Sequence, residues 1–456
     1  MRLKIAGGRL YDPASTLEGE VRDLYIHGDR LVPRLAKVDR VIQAQGQVVV
    51  AAGIELRGQV ATFGLNYLRL RGRAPSPREM GESYAALGYT HVHEPFLTLV
   101  TANYVQRELA ALPVVDTSAS LVLNLRDLDL WLGSPDRLGE VGQTLNFLLD
   151  RTRSLNLRVV EPYVRYRQEV YFHRTLNREK ALEILADLAR AQNLTLTLEA
   201  SPEVLGAELP EPRLFHLGAL GPALTKDALI QAALAHLKKG ATADLGLMDP
   251  SLQRPREVPA RMDLGWFKPL DLDPATTQAS ARRALLLALE YQGPHLAFSG
   301  AGLAQAPMTA YARLFSWLWD PEARRRHWGE ELTSRQYSLS QWVWATRTLP
   351  ARLLGLTDRG HLSPGARADV ALYDLPPEAP VSEWSRHLTR CRTLIKAGEV
   401  VRDNFSLVKP DVPRAAYYRA SEAAAGPLWT ELCQYRSLRP ENLGVQEGLA
   451  GPFVGL

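Results

Sequence analysis

The sequence is poor in cysteine, in lysine and in long apolar runs. Two cysteines, Cys391 and Cys433, among 456 residues are too few for a disulfide framework and form no spaced metal motif, which fits a reducing compartment. No apolar stretch approaches the roughly 18 residues that a membrane-spanning helix needs. The amino terminus also lacks the charged-then-apolar pattern of a signal peptide, so a cytoplasmic location with no membrane contact is expected. Lysine is scarce because arginine carries the positive charge: the chain has nine Lys and 45 Arg. Such a skew reads mainly as a composition effect, although guanidinium groups suit multidentate binding of carboxylates and phosphates. A net charge of only +4, dispersed along the chain, gives no footprint for nucleic acid. The sequence holds no glycine-rich phosphate loop and no Ser-His-Asp spacing.

What is present is the composition of a soluble globular protein, 46% hydrophobic and 23% charged. Residues 1–50 alternate short β-type runs with turns. From Ser76 the period changes. Ser76, Pro77 and Glu79 predict an N-cap, a proline at the first helical position and a capping box, with the helix stopping at Gly88. Strand patterns at 89–95, 120–125 and 194–198 then alternate with helical patterns at 179–192, from a cap at Thr225 to Gly240, and from Asp273 to before Gly293. That alternation argues for parallel βαβ units, as an open sheet or a barrel. Lys238 and Lys239 complement a helix C-terminus, and Trp317 and Trp319 read as core or subunit contact.

One stretch has the look of a site. Residues 47–59 run from β-branched Val48, Val49 and Val50 through Gly53 and place Glu55, Arg57 and Gln59 at every second position. A continuing strand would point all three the same way. This pattern resembles the first barrel strand of the amidohydrolase superfamily. Residues 353–374, with Leu-Gly-Leu at 354–356, Pro364-Gly365 and Ala368-Asp369, are similar to the superfamily's closing hairpin, and 393–401 to its return strand. Tyr84 to Thr90, Glu94, Leu112 to Asp116 and Ala306 to Asp320 are similar to segments of one group within it. That group comprises the A subunits of formylmethanofuran dehydrogenase and of the bacterial formyltransferase/hydrolase complex.

The resemblance implies a (β/α)8 TIM-like barrel at 51–350 and a small β-sandwich built from 1–50 and 351–409. Residues 410–456 are left as an extension. In the relatives the barrel holds two zinc ions and hydrolyses a formyl amide. Here Arg57 and Gln59 stand where two histidine ligands belong, and Arg158 stands where a carboxylated lysine belongs. Glu199 ends a strand that in relatives carries histidines, and His216 matches a retained one. Ser299 or Gly300 occupies the place of the catalytic Asp, with Ala301 at its neighbouring His. Two guanidinium groups at ligand positions repel a divalent ion, so the cofactor is expected to be lost and the site to be vestigial. Expected partners are the counterparts of the B, C and D subunits.

Alternatives stay open at this point. His91-Val-His93 places two imidazoles on one strand face, which suits zinc, so a relocated site could use His91, His93 and His216 or Glu199 and retain formyl-amide hydrolysis. Arg57, Arg158, Arg165 and Arg167, with His216, could instead hold a polyglutamylated one-carbon carrier. Or Arg57 could pair with Glu55 or Glu199 and simply fill the vacated pocket.

Overall fold

A computed structural model describes the chain apart from residues 63–64, 66–68, 71, 73, 124–136, 161–177, 253–272, 303–305, 331, 436–438, 440, 442, 447 and 449. Two sheets organise it. The amino-terminal strands β1 (Arg2–Asp12), β2 (Leu17–His27), β3 (Arg30–Val32), β4 (Arg40–Gln43) and β5 (Val48–Ala51) belong to the first. One residue later the chain enters the second, a parallel set that follows sequence order: β6 (Gly53–Glu55), β7 (Tyr89–Leu97), β8 (Asp116–Leu123), β9 (Asn156–Val159), β10 (Leu196–Glu199), β11 (Phe215–Gly218), β12 (Thr242–Asp244) and β13 (Leu296–Ala297). The chain then returns to the first sheet as β14 (Val370–Tyr373), β15 (Thr393–Lys396), β16 (Glu399–Asp403) and β17 (Ser406–Leu407). The first sheet is therefore a nine-stranded mixed sheet in which β14, from the far end of the chain, pairs antiparallel with β5.

Local sequence explains these elements. Every residue of β7 and β8 is buried, as expected of parallel strands covered on both sides. The helix Pro77–Leu87 carries the capping box of Ser76 and Glu79 and ends at Gly88, in the left-handed region. In the helix Arg178–Ala191, Leu182, Leu185 and Leu188 form the buried face. Asp273 caps the helix Pro274–Tyr291 as expected. Thr225 does not cap the helix Ala228–Lys238; Asp227 precedes it without a side-chain cap, and Thr225 and Leu224 give carbonyls to Arg283 instead.

Among the described residues β6 and β13 share no backbone ladder, so the seam between first and last strands is closed by other means. The segment Trp344–Thr348, which continues the helix Leu339–Val343, lies against both strands. Phe298 N–H donates to the Ala345 carbonyl (2.9 Å). Ile54, Leu56, Ala297, Leu349 and Leu354 make one apolar cluster there.

The carboxy-terminal extension is part of this architecture. The strand β18 (Ala416–Tyr418) pairs parallel with the start of β8, beside Thr117 and Ser118, and β19 (Phe453–Gly455) pairs with β18. It is anchored by a buried ion cluster. Lys396 Nζ reaches Asp116 (2.6 Å) and the Pro413 carbonyl (3.2 Å), and Arg359 reaches Asp116 (2.8 Å), Asp369 (3.4 Å) and the Tyr417 hydroxyl. The helix Pro427–Tyr435 packs on Leu138–Thr152, with Trp429 edge-on to Phe147.

Candidate vestigial metal pocket

The expected continuation of the first barrel strand does not occur. Strand β6 stops at Glu55, and Gln59 has φ of +48°, so Glu55, Arg57 and Gln59 leave the backbone in different directions. Glu55 turns to the seam, where it accepts the Arg57 backbone N–H (2.8 Å) and the Tyr311 hydroxyl. Gln59 lies on Gly302, where a β-carbon would collide with its amide. Of the three, Arg57 reaches into the barrel mouth.

There it meets Glu199 at the end of β10. Arg57 Nη2 donates to Glu199 Oε1 (2.7 Å) and Nη1 to Oε2 (3.3 Å), while Arg158, on β9, donates its Nη1 to the same Oε2. Both guanidinium groups face the Phe96 ring, 4.9 and 5.4 Å from its centroid. Arg57 is 6% exposed and Arg158 2%. Burial works against the Arg57 charge, but the carboxylates of Glu199 and Asp244 outweigh it and hold the guanidinium above its ordinary pKa. The neighbouring strand makes room for this clamp: a β-carbon at Gly218 would strike Arg158 Nη1.

His216 completes the rim. Its Nδ1 lies 3.1 Å from Thr242 Oγ1 and its Nε2 3.2 Å from Asp244 Oδ2. Asp244 also accepts the Ala219 N–H (3.0 Å) and the Ser299 hydroxyl. Burial alone would raise the Asp244 pKa; the hydrogen bond from His216 and the charges of His216, Arg57 and Arg158 hold it well below the usual carboxylate range. The sequence alone gives Asp244 and Ser299 no place as a pair. The available signal is an acid ending the small-residue run Ala241, Thr242 and Ala243 immediately before Leu245 and Gly246.

Deeper in the barrel, His91 Nε2 lies 2.9 Å from Ser118 Oγ, His93 Nδ1 2.8 Å from the same oxygen, and His93 Nε2 2.7 Å from Ser120 Oγ, which donates to Asn156 Oδ1. For a neutral His93 ring, proton counting sets the polarity. Because Ser120 gives its proton to Asn156, it must receive one from His93 Nε2; His93 Nδ1 then accepts from Ser118, and Ser118 accepts from His91 Nε2. Both imidazoles are neutral in this arrangement. That agrees with burial, which with Arg359 pushes His91 down to about 3 and with Arg158 pushes His93 well below its ordinary value. A cavity of about 20 Å³, room for one water, lies among His93, Asn156, Arg158, Thr197 and His216. Arg165 and Arg167 lie outside the described residues.

Comparisons with known proteins agree with this architecture. Residues 304–402 match the amidohydrolase family model Amidohydro_3. The chain is 24% identical to the A component of the formyltransferase/hydrolase complex Fhc of Methylorubrum extorquens, over 88% of this chain and 89% of that one. It is 22% identical to protein FwdA of Methanocaldococcus jannaschii, over 90% and 89%. The crystal structure of the M. extorquens FhcABCD complex with methylofuran superposes with a TM-score of 0.82 at 21% identity, covering 100% of this chain and 99% of that one. A prolidase crystal structure gives 0.54 at 13% identity, over 88% of this chain and 100% of that one. The chain is similar to amidohydrolase-superfamily proteins, and to these Fhc and Fwd components over most of its length. Within this superfamily fold, the residues at the barrel mouth do not suit a pair of zinc ions. Arg57 and Arg158 offer only N–H donors and are tied to Glu199, Gly300 has no side chain, and both His93 nitrogens are taken by hydroxyls. Among the described residues no group of three His, Cys, Asp or Glu side chains is placed to hold an ion.

Proposed function

We propose that this chain is a degenerate A-type subunit of a formyltransferase/hydrolase-like complex in one-carbon metabolism, working in the cytoplasm as a metal-free scaffold for partners resembling the B, C and D subunits. One observation carries the proposal: Glu199 is gripped by both Arg57 and Arg158 where relatives hold metal. A buried ion pair with satisfied geometry replaces ion–ligand bonds, and two fixed cations repel an incoming divalent ion. Similarity to the Fhc and Fwd components over about nine-tenths of the chain supports the assembly role.

The same geometry weakens the two other readings. A rebuilt hydrolytic site at His91, His93, His216 and Glu199 needs several free lone pairs, and those of His93, His216 and Glu199 are committed to Ser118, Thr242 and the two guanidinium groups, which leaves only Nδ1 of His91 among these four residues. A carrier held by Arg57, Arg158 and His216 must first displace Glu199 and Asp244.

The test is to purify the chain from its native source and measure its partners and metal together. Co-purification of B-, C- and D-like subunits with no stoichiometric zinc on this chain is expected. Two equivalents of zinc bound to the isolated chain, or formyl-amide hydrolysis by it that disappears in His216→Ala, would replace the scaffold reading with an enzymatic one.

A further inference from the structure

The barrel seam is joined by side chains where the backbone ladder is missing. Glu55 ends β6 and accepts the Tyr311 hydroxyl on Oε2; Tyr311 Oη accepts the Gly300 N–H (3.2 Å). The ring of Tyr311 is wedged edge-on against Tyr89, Phe298 and Phe315. The segment these bonds reach, 298–302, carries Ser299, whose hydroxyl holds Asp244 and whose Oγ accepts the Gly246 N–H (2.9 Å). A contact made at the seam is thus two hydrogen bonds away from the His216–Asp244 pair.

We propose that Glu55, Tyr311 and Gly300 form a proton-controlled latch across the barrel seam, tight when Glu55 is a carboxylate and slack when it carries a proton. The reason is a count of hydrogens. As a carboxylate, Glu55 accepts from Arg57 N–H and Tyr311 O–H, and Tyr311 is left to accept from Gly300, so every donor in the series has an acceptor. Both carboxylate oxygens already receive a donor, so one added proton meets an N–H or an O–H whichever oxygen it joins. One of the two facing protons then loses its acceptor, and Tyr311 Oη, no longer polarised by a charge, holds Gly300 less well.

Glu55 is the member of this neighbourhood that changes state near neutrality. Burial pushes it up to about 7, against the hydrogen bonds from Tyr311 and Arg57, with Asp244 of β12 raising it further. The other groups that face it stay as they are. Tyr84 of the helix Pro77–Leu87, Tyr89 of β7 and Tyr311 itself are all raised by burial and keep their protons. Asp244 and Arg57 stay charged, and Glu94 of β7 accepts backbone N–H groups of Ala61 (3.0 Å) and Phe96 (3.2 Å).

The latch makes a prediction opposite in sign to the global effect of the same proton. Burying an ionised Glu55 lowers overall stability as pH rises, whereas the latch tightens. Hydrogen exchange with mass spectrometry on the full chain, corrected for intrinsic exchange, reads both. Protection of residues 298–302 should be about fivefold higher at pH 8 than at pH 6, the difference between a hydrogen bond with a charged and a neutral partner. Peptides from β10 should follow global stability downward. In Glu55→Gln and in Tyr311→Phe the rise at 298–302 should vanish. Protection that is flat or falls with pH in the wild-type chain overturns the latch, as does a rise that survives in Glu55→Gln.

Discussion

At the residue scale the pocket is organised electrostatically around Glu199. One carboxylate serves two buried guanidinium groups, and its loss strands both. Removing one partner of a buried ion pair costs roughly 3–5 kcal/mol, whereas replacing the whole set by apolar residues of similar volume is often neutral. Glu199→Ala should therefore lower the unfolding free energy by several kcal/mol. The triple variant Arg57→Met, Arg158→Met, Glu199→Leu should recover most of that loss. Chemical denaturation of the three proteins side by side checks this, and a triple variant no better than Glu199→Ala would show that the clamp is held by more than charge. Glu55 gives the second residue-scale prediction. Its folded pKa of about 7 lies above the ordinary glutamate value of 4.5, so its contribution is complete below about pH 4.5 and is lost as pH rises to 7. The loss is about 3 kcal/mol on linkage arithmetic. Glu55→Gln removes the titrating group, so relative to wild type it should gain stability between pH 5 and pH 8, and a constant difference across that range would contradict the assignment.

At the scale of elements, the pieces legible in the sequence are those whose causes are local. Ser76 and Asp273 cap helices because a short oxygen-bearing side chain reaches the backbone two or three residues ahead, and the apolar strands are buried on both sides. Thr225 is not a cap because the helix begins after Asp227, a choice made by tertiary contacts of Arg283 with the preceding carbonyls. The extension is illegible for a similar reason. Tyr417 reads as an ordinary aromatic in a polar stretch, and only the fold brings it to His91 (5.9 Å between ring centroids) and Arg359 (4.7 Å from the ring). Because β18 supplies a pairing partner to β8 and covers the Asp116–Arg359–Lys396 cluster, a chain ending at residue 411 should be aggregation-prone or much less stable. It leaves the start of β8, at Thr117 and Ser118, without its partner on one side and hydrates a balanced ion cluster. A chain ending at 425 keeps β18 and should lose less. Soluble yield and thermal unfolding of the two truncations decide whether β18 or the later helix is the stabilising part.

At the scale of the whole molecule, the pocket is distributed over strand ends far apart in sequence, and that explains what can be read in advance. The resemblance locates Arg57, Arg158, Glu199, His216 and Gly300 individually. Pairing of Arg57 with Glu199 is one of the options it leaves open, but it gives no sign that Arg158 shares that carboxylate, that Asp244 binds His216, or that Glu55 bonds Tyr311, since each depends on which strands the barrel places together. The same distribution sets the last prediction. Arg57→His, Gln59→His and Arg158→Lys restore residue types that the resemblance places at metal positions, yet they should not restore metal binding. Strand β6 ends at Glu55 and Gln59 sits at positive φ against Gly302, so side chains at 57 and 59 do not share a face. Glu199 would lose both guanidinium groups, and Gly300 still offers no carboxylate. Elemental analysis after exhaustive dialysis of the triple variant should find far less than one zinc per chain. Two zinc ions per chain would mean that the backbone of residues 56–60 can return to an extended strand, and that chemistry, rather than local geometry, is what this barrel has lost.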